Sequence, residues 1–268
     1  MRKAAAIILV LCLAAFSLQA QDFSQLDSLM DVYILSMRPE STEAKMAETD
    51  YMIASARDSL TRSHIALRLF DSYRESPLMG EEEVAIHIYD SWFASGLLQM
   101  RSEFDLMDAR LFADFNRSTL LGMDAPQVTL RKPCGGRLTV PAKGKTSILW
   151  FYDTSCAKCR AESKVLPKAL EDSATVPTDF YAVYCGQSRK EWREMRRSFR
   201  VGGKKVKVIH LWDPEIDSDY LRLYGVISTP KMYMVEPRGS IIGRRLEVEN
   251  LPQMFSLAEI IVQSYNNQ

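Results

Sequence analysis

Ser147-Ile148-Leu149-Trp150-Phe151-Tyr152-Asp153-Thr154-Ser155-Cys156-Ala157-Lys158-Cys159-Arg160-Ala161-Glu162 is the stretch that decides the fold. Its first six residues form a compact apolar run of the kind found in buried strands. Two cysteines with two residues between them then open a segment that reads as helix from Cys156 to about Glu171. This spacing lets both sulfurs meet on the first turn of a helix, where a disulfide closes with little strain. The helix start supplies N–H groups lacking intrahelical partners and the positive end of the dipole, and both favour thiolate over thiol. Lys158 adds a cation expected to push the same way. Cys156, at the exposed end, is therefore the expected nucleophile, and Cys159, one turn deeper, the resolving thiol.

Working outward, strands and helices alternate. Gln127 to Leu130 and Arg137 to Val140 read as a hairpin around Cys134-Gly135-Gly136. Beyond the CxxC helix, strands are expected at 179–185, 206–212, 231–235 and 240–246, with helices at 189–200, 217–224 and 251–265. Such alternation implies an α/β unit with a mixed sheet, assigned to residues 119–268. Residues 21–118 read differently. Phe23, Leu26, Met30, Tyr33 and Met37 recur at helical spacing up to Pro39, a second helix is expected from Thr42 to Tyr73, and a third begins at Glu81-Glu82-Glu83. They form an expected α-helical N-terminal domain.

Residues 1–20 have the layout of a secretory signal peptide. Arg2 and Lys3 precede an apolar run from Ala4 to Phe16, and Ser17-Leu18-Gln19-Ala20 offers a small residue for cleavage. The run is short for a membrane span, which needs ~20 apolar residues, and no transmembrane segment is expected after cleavage. Without Arg2 and Lys3 the 34 Lys and Arg fall to 32, against 34 Asp and Glu. That balance predicts no broad attraction to nucleic acid.

A CxxC alone also fits half of a zinc site. Structural zinc draws on a second close-spaced pair, whereas Cys134 and Cys185 stand alone and His64, His87 and His210 are scattered. A purely structural disulfide would close so short a loop that it constrains the unfolded chain least. Cys134 and Cys185 could bridge each other, or Cys185 could be a buried thiol, and the sequence leaves both open. On the 189–200 helix, Arg189, Lys190, Arg193, Arg196, Arg197 and Arg200 alternate with Glu191 and Glu194, so a solvated face is expected there rather than an anion site.

Strand–CxxC–helix, followed by Ile227-Ser228-Thr229-Pro230 opening a strand, resembles the thioredoxin superfamily. Leu121-Gly122-Met123-Asp124-Ala125-Pro126, Gly144-Lys145 and Cys-x-x-Cys-Arg-x-Glu narrow the likeness to the TlpA/ResA-like exported thiol–disulfide oxidoreductases, over about residues 119–268. The resemblance implies a thioredoxin-like mixed sheet flanked by helices and a cis Thr229–Pro230 bond lying against the CxxC. It also implies that Pro230 blocks metal capture and that the Thr229 backbone binds an incoming peptide as a short added strand. Glu162 falls on the branch's active-site glutamate and is expected to manage the proton on Cys159, its other reading being a solvated surface acid.

There are departures. The buried acid six residues before the first cysteine of thioredoxin is Trp150, the usual aromatic before that cysteine is Ser155, and the common proline between the cysteines is Lys158. Peroxiredoxins share the Ala-Pro feature, but they want Thr or Ser three residues before their cysteine and Pro seven before, where this chain has Asp153 and Leu149. The resulting expectation is a periplasmic oxidoreductase acting on protein thiols and disulfides, recharged by a membrane or periplasmic redox donor, with no organic cofactor or metal implied. The competing expectation is a thioredoxin-fold binding module whose helical half mediates contact.

Overall fold

The structure, a computed structural model, describes residues 22–267. The expected signal segment, residues 1–20, lies outside the described residues. The chain divides into two compact units, one ending at Ala113 and the other Asp114–Gln268. Among the described residues no helix is long and apolar enough to cross a membrane.

In the first unit α1 (Ser24–Met37) buries Leu26 and Met30, two members of the expected apolar stripe. The expected helix from Thr42 to Tyr73 is in fact two, α2 (Thr42–Ser55) and α3 (Ser59–Arg74). The break has a local cause: Asp58 turns extended and its carboxylate accepts from the Thr61 amide at 2.8 Å, capping a new helix. α4 (Glu82–Ile88) continues as a wider π turn, Tyr89–Ala94, and α5 (Glu103–Asn116) follows, its last three residues already belonging to the second unit. Ile65, Leu69, Phe70, Val84, Ile88 and Phe93 fill the core. Within that apolar surround, Lys45 donates to Glu81 at 2.6 Å, both side chains nearly withdrawn from water.

The second unit is a seven-stranded sheet in the order β2-β1-β5-β4-β3-β6-β7. β1 (Val128–Arg131) and β2 (Arg137–Val140) form the expected hairpin, Val128 opposite Val140. β3 (Thr146–Tyr152), β4 (Thr178–Tyr184) and β5 (Val206–Trp212) run parallel, joined by α6 (Ala157–Ser173) and α7 (Arg189–Ser198). β6 (Lys231–Val235) pairs antiparallel with β3, β7 (Ile241–Gly243) pairs with β6, and α9 (Leu251–Asn266) closes the chain after α8 (Tyr220–Leu223). The mixed sheet flanked by helices is the architecture expected from the alternation. Every residue of β3 and β4 is buried, as strands covered on both faces must be.

Two elements are shorter than expected. Asp213 accepts from the Ser218 amide and hydroxyl, and from the Asp217 amide, winding 213–218 into a turn and leaving α8 a single turn. β7 stops at Gly243 because Arg244 turns inward, fully buried, onto the Asn116 amide oxygen at 2.6 Å. Gly225 has no alternative residue: its φ is +54°, and a Cβ there would stand 2.0 Å from the Phe115 carbonyl oxygen.

Alternation along β3 decides what lies beneath the CxxC helix. Leu149 and Phe151 join the core with Tyr181, Tyr224 and Tyr233. Trp150 and Tyr152 point to the opposite face, where the Trp150 ring stacks on Tyr152 at 4.4 Å and on Phe199 at 5.5 Å.

Candidate active site

β3 ends at Tyr152, and three residues carry the chain to α6. Asp153 accepts from both the amide and the hydroxyl of Ser155 at 2.8 Å, which winds the connection tightly. Arg160, one turn inside α6, donates to the carbonyls of Thr154 and Ser155 at 2.8 and 2.7 Å. The arginine of the Cys-x-x-Cys-Arg-x-Glu motif thus ties the loop to the helix. Its position one turn after the loop is the signal of this role in the sequence.

Cys156 is the N-cap of α6, and its Sγ accepts from the Cys159 amide at 3.2 Å. As a thiol it also donates to the Thr229 carbonyl at 3.1 Å. Cys156 is partly exposed, whereas Cys159 is fully buried. Burial opposes the Cys156 thiolate. Hydrogen bonds from the Cys159 thiol and amide, the Thr229 hydroxyl and the Lys158 amide outweigh it and hold this thiol below its ordinary pKa. Cys159 goes the other way, pushed up to about 12 by burial and then by the neighbouring Cys156 sulfur. The two sulfurs therefore ionise in sequence, the exposed one first.

Lys158 corrects one expectation. Its ammonium is held by Glu247 at 2.6 Å, so what it offers Cys156 is its backbone amide. Its charge is felt instead by Glu162. That residue is not a solvated acid: it is 8% exposed and accepts from the Trp150 indole N–H at 3.2 Å. Burial raises the Glu162 pKa, the Trp150 hydrogen bond and Lys158 pull it down, Glu247 and Glu249 push it up, and the net shift is upward. A departure in the sequence, Trp150, thus meets a motif residue in space.

The Thr229–Pro230 bond is cis, and both residues are half-buried. Ile227, just before them, is 68% exposed. The structure brings Cys156, Cys159 and Thr229 into direct contact, with Glu162 three residues beyond Cys159 on α6 and Pro230 bonded to Thr229.

Cys185 follows β4, its amide donating to the Tyr152 carbonyl at 2.8 Å. Burial pushes its thiol up to about 12, against a hydrogen bond from Tyr220, with Asp153 and Cys159 raising it further. Cys134 is exposed on the hairpin turn, and both are free thiols, so the alternative of a bridge between them does not hold. Among the described residues, no three or more His, Cys, Asp or Glu side chains gather as a metal site requires.

No family model and no curated protein matches the chain by sequence. Solved structures do. A thioredoxin-like protein from Bacteroides caccae is similar over 89% of this chain and 85% of its own, with TM-score 0.67 and 14% identity. The thioredoxin domain of a thiol-disulfide oxidoreductase from Bacteroides vulgatus covers 51% of this chain and 96% of its own, at TM-score 0.44 and 20% identity. A thiol:disulfide interchange protein from a Bacteroides species covers 55% and 92%, at TM-score 0.41 and 22% identity. The first establishes a thioredoxin-like fold. At 89% of the chain it also takes in helical residues where the motifs of the sequence are silent.

Proposed function

We propose that this chain is an extracytoplasmic thiol–disulfide oxidoreductase that exchanges disulfides with protein cysteines through Cys156 and Cys159. The observation that carries the reading is the unequal pair: a partly exposed sulfur at a helix N-cap, held below its ordinary pKa, one turn above a buried thiol held far above it. The first can attack and the second waits. The basic, apolar, then small-residue pattern of residues 1–20 supports the location.

In the reducing direction the Cys156 thiolate attacks one sulfur of a substrate disulfide. A bond forms between the two sulfurs, the substrate S–S bond breaks, and the departing sulfur leaves as thiolate and takes a proton from water. Cys159 then loses its proton, for which Glu162 is the assigned acceptor, and attacks Cys156 Sγ. The mixed disulfide breaks, the second substrate sulfur leaves as thiolate, and Cys156–Cys159 closes. Two electrons have passed to the substrate, and an upstream dithiol donor restores the pair. The half-buried Thr229 backbone beside Cys156 and exposed Ile227 offer an extended peptide a hydrogen-bonding edge and an apolar contact.

The test is insulin reduction by dithiothreitol, comparing wild type with Cys156→Ser. The wild type should accelerate precipitation and the variant should not; equal rates would overturn the reading.

A further inference from the structure

α7 presents Arg193, Arg196 and Arg197 at spacings of three and four on one face, and Arg200 follows two residues past its end. Together with His210 on β5 they line a pocket of about 270 Å³. No acid is among its lining residues.

Several surface cations of this unit are matched: Arg131 with Glu215, Arg137 with Asp217, Arg222 with Asp219 and Lys168 with Asp172. Among the described residues, none of the four pocket arginines makes an ion pair, and Arg193 and Arg197 are a like-charge pair four apart on α7, which weakens a helix. Glu191 and Glu194, which stand among them in the sequence, do not neutralise them. Glu191 accepts instead from the Tyr184 hydroxyl at 3.2 Å and from Thr154, and Glu194 makes no ion pair among the described residues.

A second observation is independent of the charge. His210 lines the pocket, and its Nδ1 is buried with no hydrogen-bond partner among the described residues, although buried polar atoms are almost always satisfied. Burial, and then Arg196 and Arg200, push its pKa down to about 4. The cluster is also held in place: the Arg196 guanidinium lies 5.3 Å from the Trp192 ring centroid, and Arg200 Nε donates to the Arg197 carbonyl at 3.2 Å. Stabilisation of a helix C-terminus by cations accounts for Arg196 and Arg197 in the last turn. It accounts neither for Arg193 nor for the unsatisfied imidazole.

We propose that Arg193, Arg196, Arg197, Arg200 and His210 form a binding site for a phosphoryl oxyanion, carried by a free phosphate or by a lipid headgroup. Guanidinium forks match phosphate oxygens two at a time, and the His210 imidazole stands in the wall of the same pocket.

The experiment titrates the protein with inorganic pyrophosphate at constant ionic strength, by calorimetry and by the imidazole NMR signal of His210. A parallel arm uses phosphatidylcholine vesicles with and without phosphatidylglycerol. Saturable binding is expected in at least one arm, with movement of the His210 signal, and vesicle-only binding would identify the headgroup as the source. The Arg196→Gln/Arg200→Gln variant should bind at least about tenfold more weakly, since charge-assisted hydrogen bonds are lost, with insulin reduction unchanged. Arg193→Gln, at an exposed position, serves as a second variant and should also bind more weakly. No saturable binding in either arm, a His210 signal unmoved at saturation, or wild-type affinity in both variants would overturn the site.

Discussion

The Trp150 indole N–H donates to a Glu162 carboxylate oxygen 3.2 Å away, both side chains withdrawn from water between β3 and α6. The bond ties the acid to the sheet and favours its ionised form. Trp150→Phe keeps an aromatic ring against Phe180 and Phe199 but removes the donor. Glu162 should then titrate at higher pH, and the pH profile of the resolving step should move in the alkaline direction while first attack by Cys156 is unaffected. Stability should fall by about 1–3 kcal/mol, the cost of an unsatisfied buried acceptor. Stopped-flow rates of the two steps across pH would check this, and coincident profiles would sink it.

The unequal sulfurs predict unequal trapping. Cys159→Ala should accumulate mixed disulfides with protein partners, because Cys156 still attacks and nothing resolves the product. Cys156→Ala should accumulate few, since the remaining thiol is buried and held near 12. Non-reducing electrophoresis reads the difference, and similar adduct levels in the two variants would reverse the assignment.

Because Glu247 holds the Lys158 ammonium, Lys158→Met should leave the Cys156 thiolate titration nearly unchanged when followed by ultraviolet absorbance. It should raise the pKa of Glu162, which Lys158 pulls down. A large alkaline shift of Cys156 would show that the charge, rather than the backbone amide, activates the sulfur.

Stability of the reduced chain should be bell-shaped in pH. Cys156 is depressed in the folded state, so its contribution is present above the unfolded thiol value of about 8.5 and lost as pH falls through the folded value. Cys159 and Cys185 are raised to about 12, so above about 8.5 the unfolded chain releases protons that the folded chain retains, and stability declines. The oxidised chain lacks the Cys156 and Cys159 titrations and should show no maximum, only the decline from Cys185 and, at higher pH, from the buried tyrosines Tyr152, Tyr220 and Tyr224, whose pKa values burial raises in both forms. Urea midpoints of both forms across neutral and alkaline pH would test this; a reduced form without a maximum would refute it.

In the helical unit, Lys45→Ala leaves Glu81 buried without its partner and should cost about 3–5 kcal/mol, whereas Lys45→Met/Glu81→Leu should fall much nearer wild type. Denaturant midpoints separate the two. Equal losses would mean that packing, rather than stranded charge, dominates.

What was legible in the sequence is local. The Ser147–Tyr152 strand shows as a continuous apolar run, and the Cys156–Cys159 pair declares itself by its spacing. The break at Asp58 is masked in the sequence because apolar periodicity continues through it, although an Asp before a new helical run is itself a start signal. What was not legible joins positions far apart in the chain. Lys158 finds Glu247 across 89 residues, and no neighbour of Lys158 hints that its charge is already engaged. Trp150 and Glu162 are each visible alone, but only the pleat of β3 turns the indole toward α6. The arginines of α7 look balanced because Glu191 stands beside them, and only the fold shows it serving Tyr184 and Thr154.

The N-cap position of Cys156 bears on departure as well as attack. A sulfur whose anion is welcomed by the first turn of α6 is also the better leaving group when Cys156 is half of a bond. On the proposed function, a substrate tethered there would be held by a link biased to break at the chain's own sulfur, so unproductive encounters should dissolve back to free protein unless Cys159 closes first. The same preference stabilises the dithiol over the disulfide and moves the couple toward oxidising potentials. On that function, how firmly one helix turn holds one sulfur would bear both on how long a partner stays and on which way electrons run.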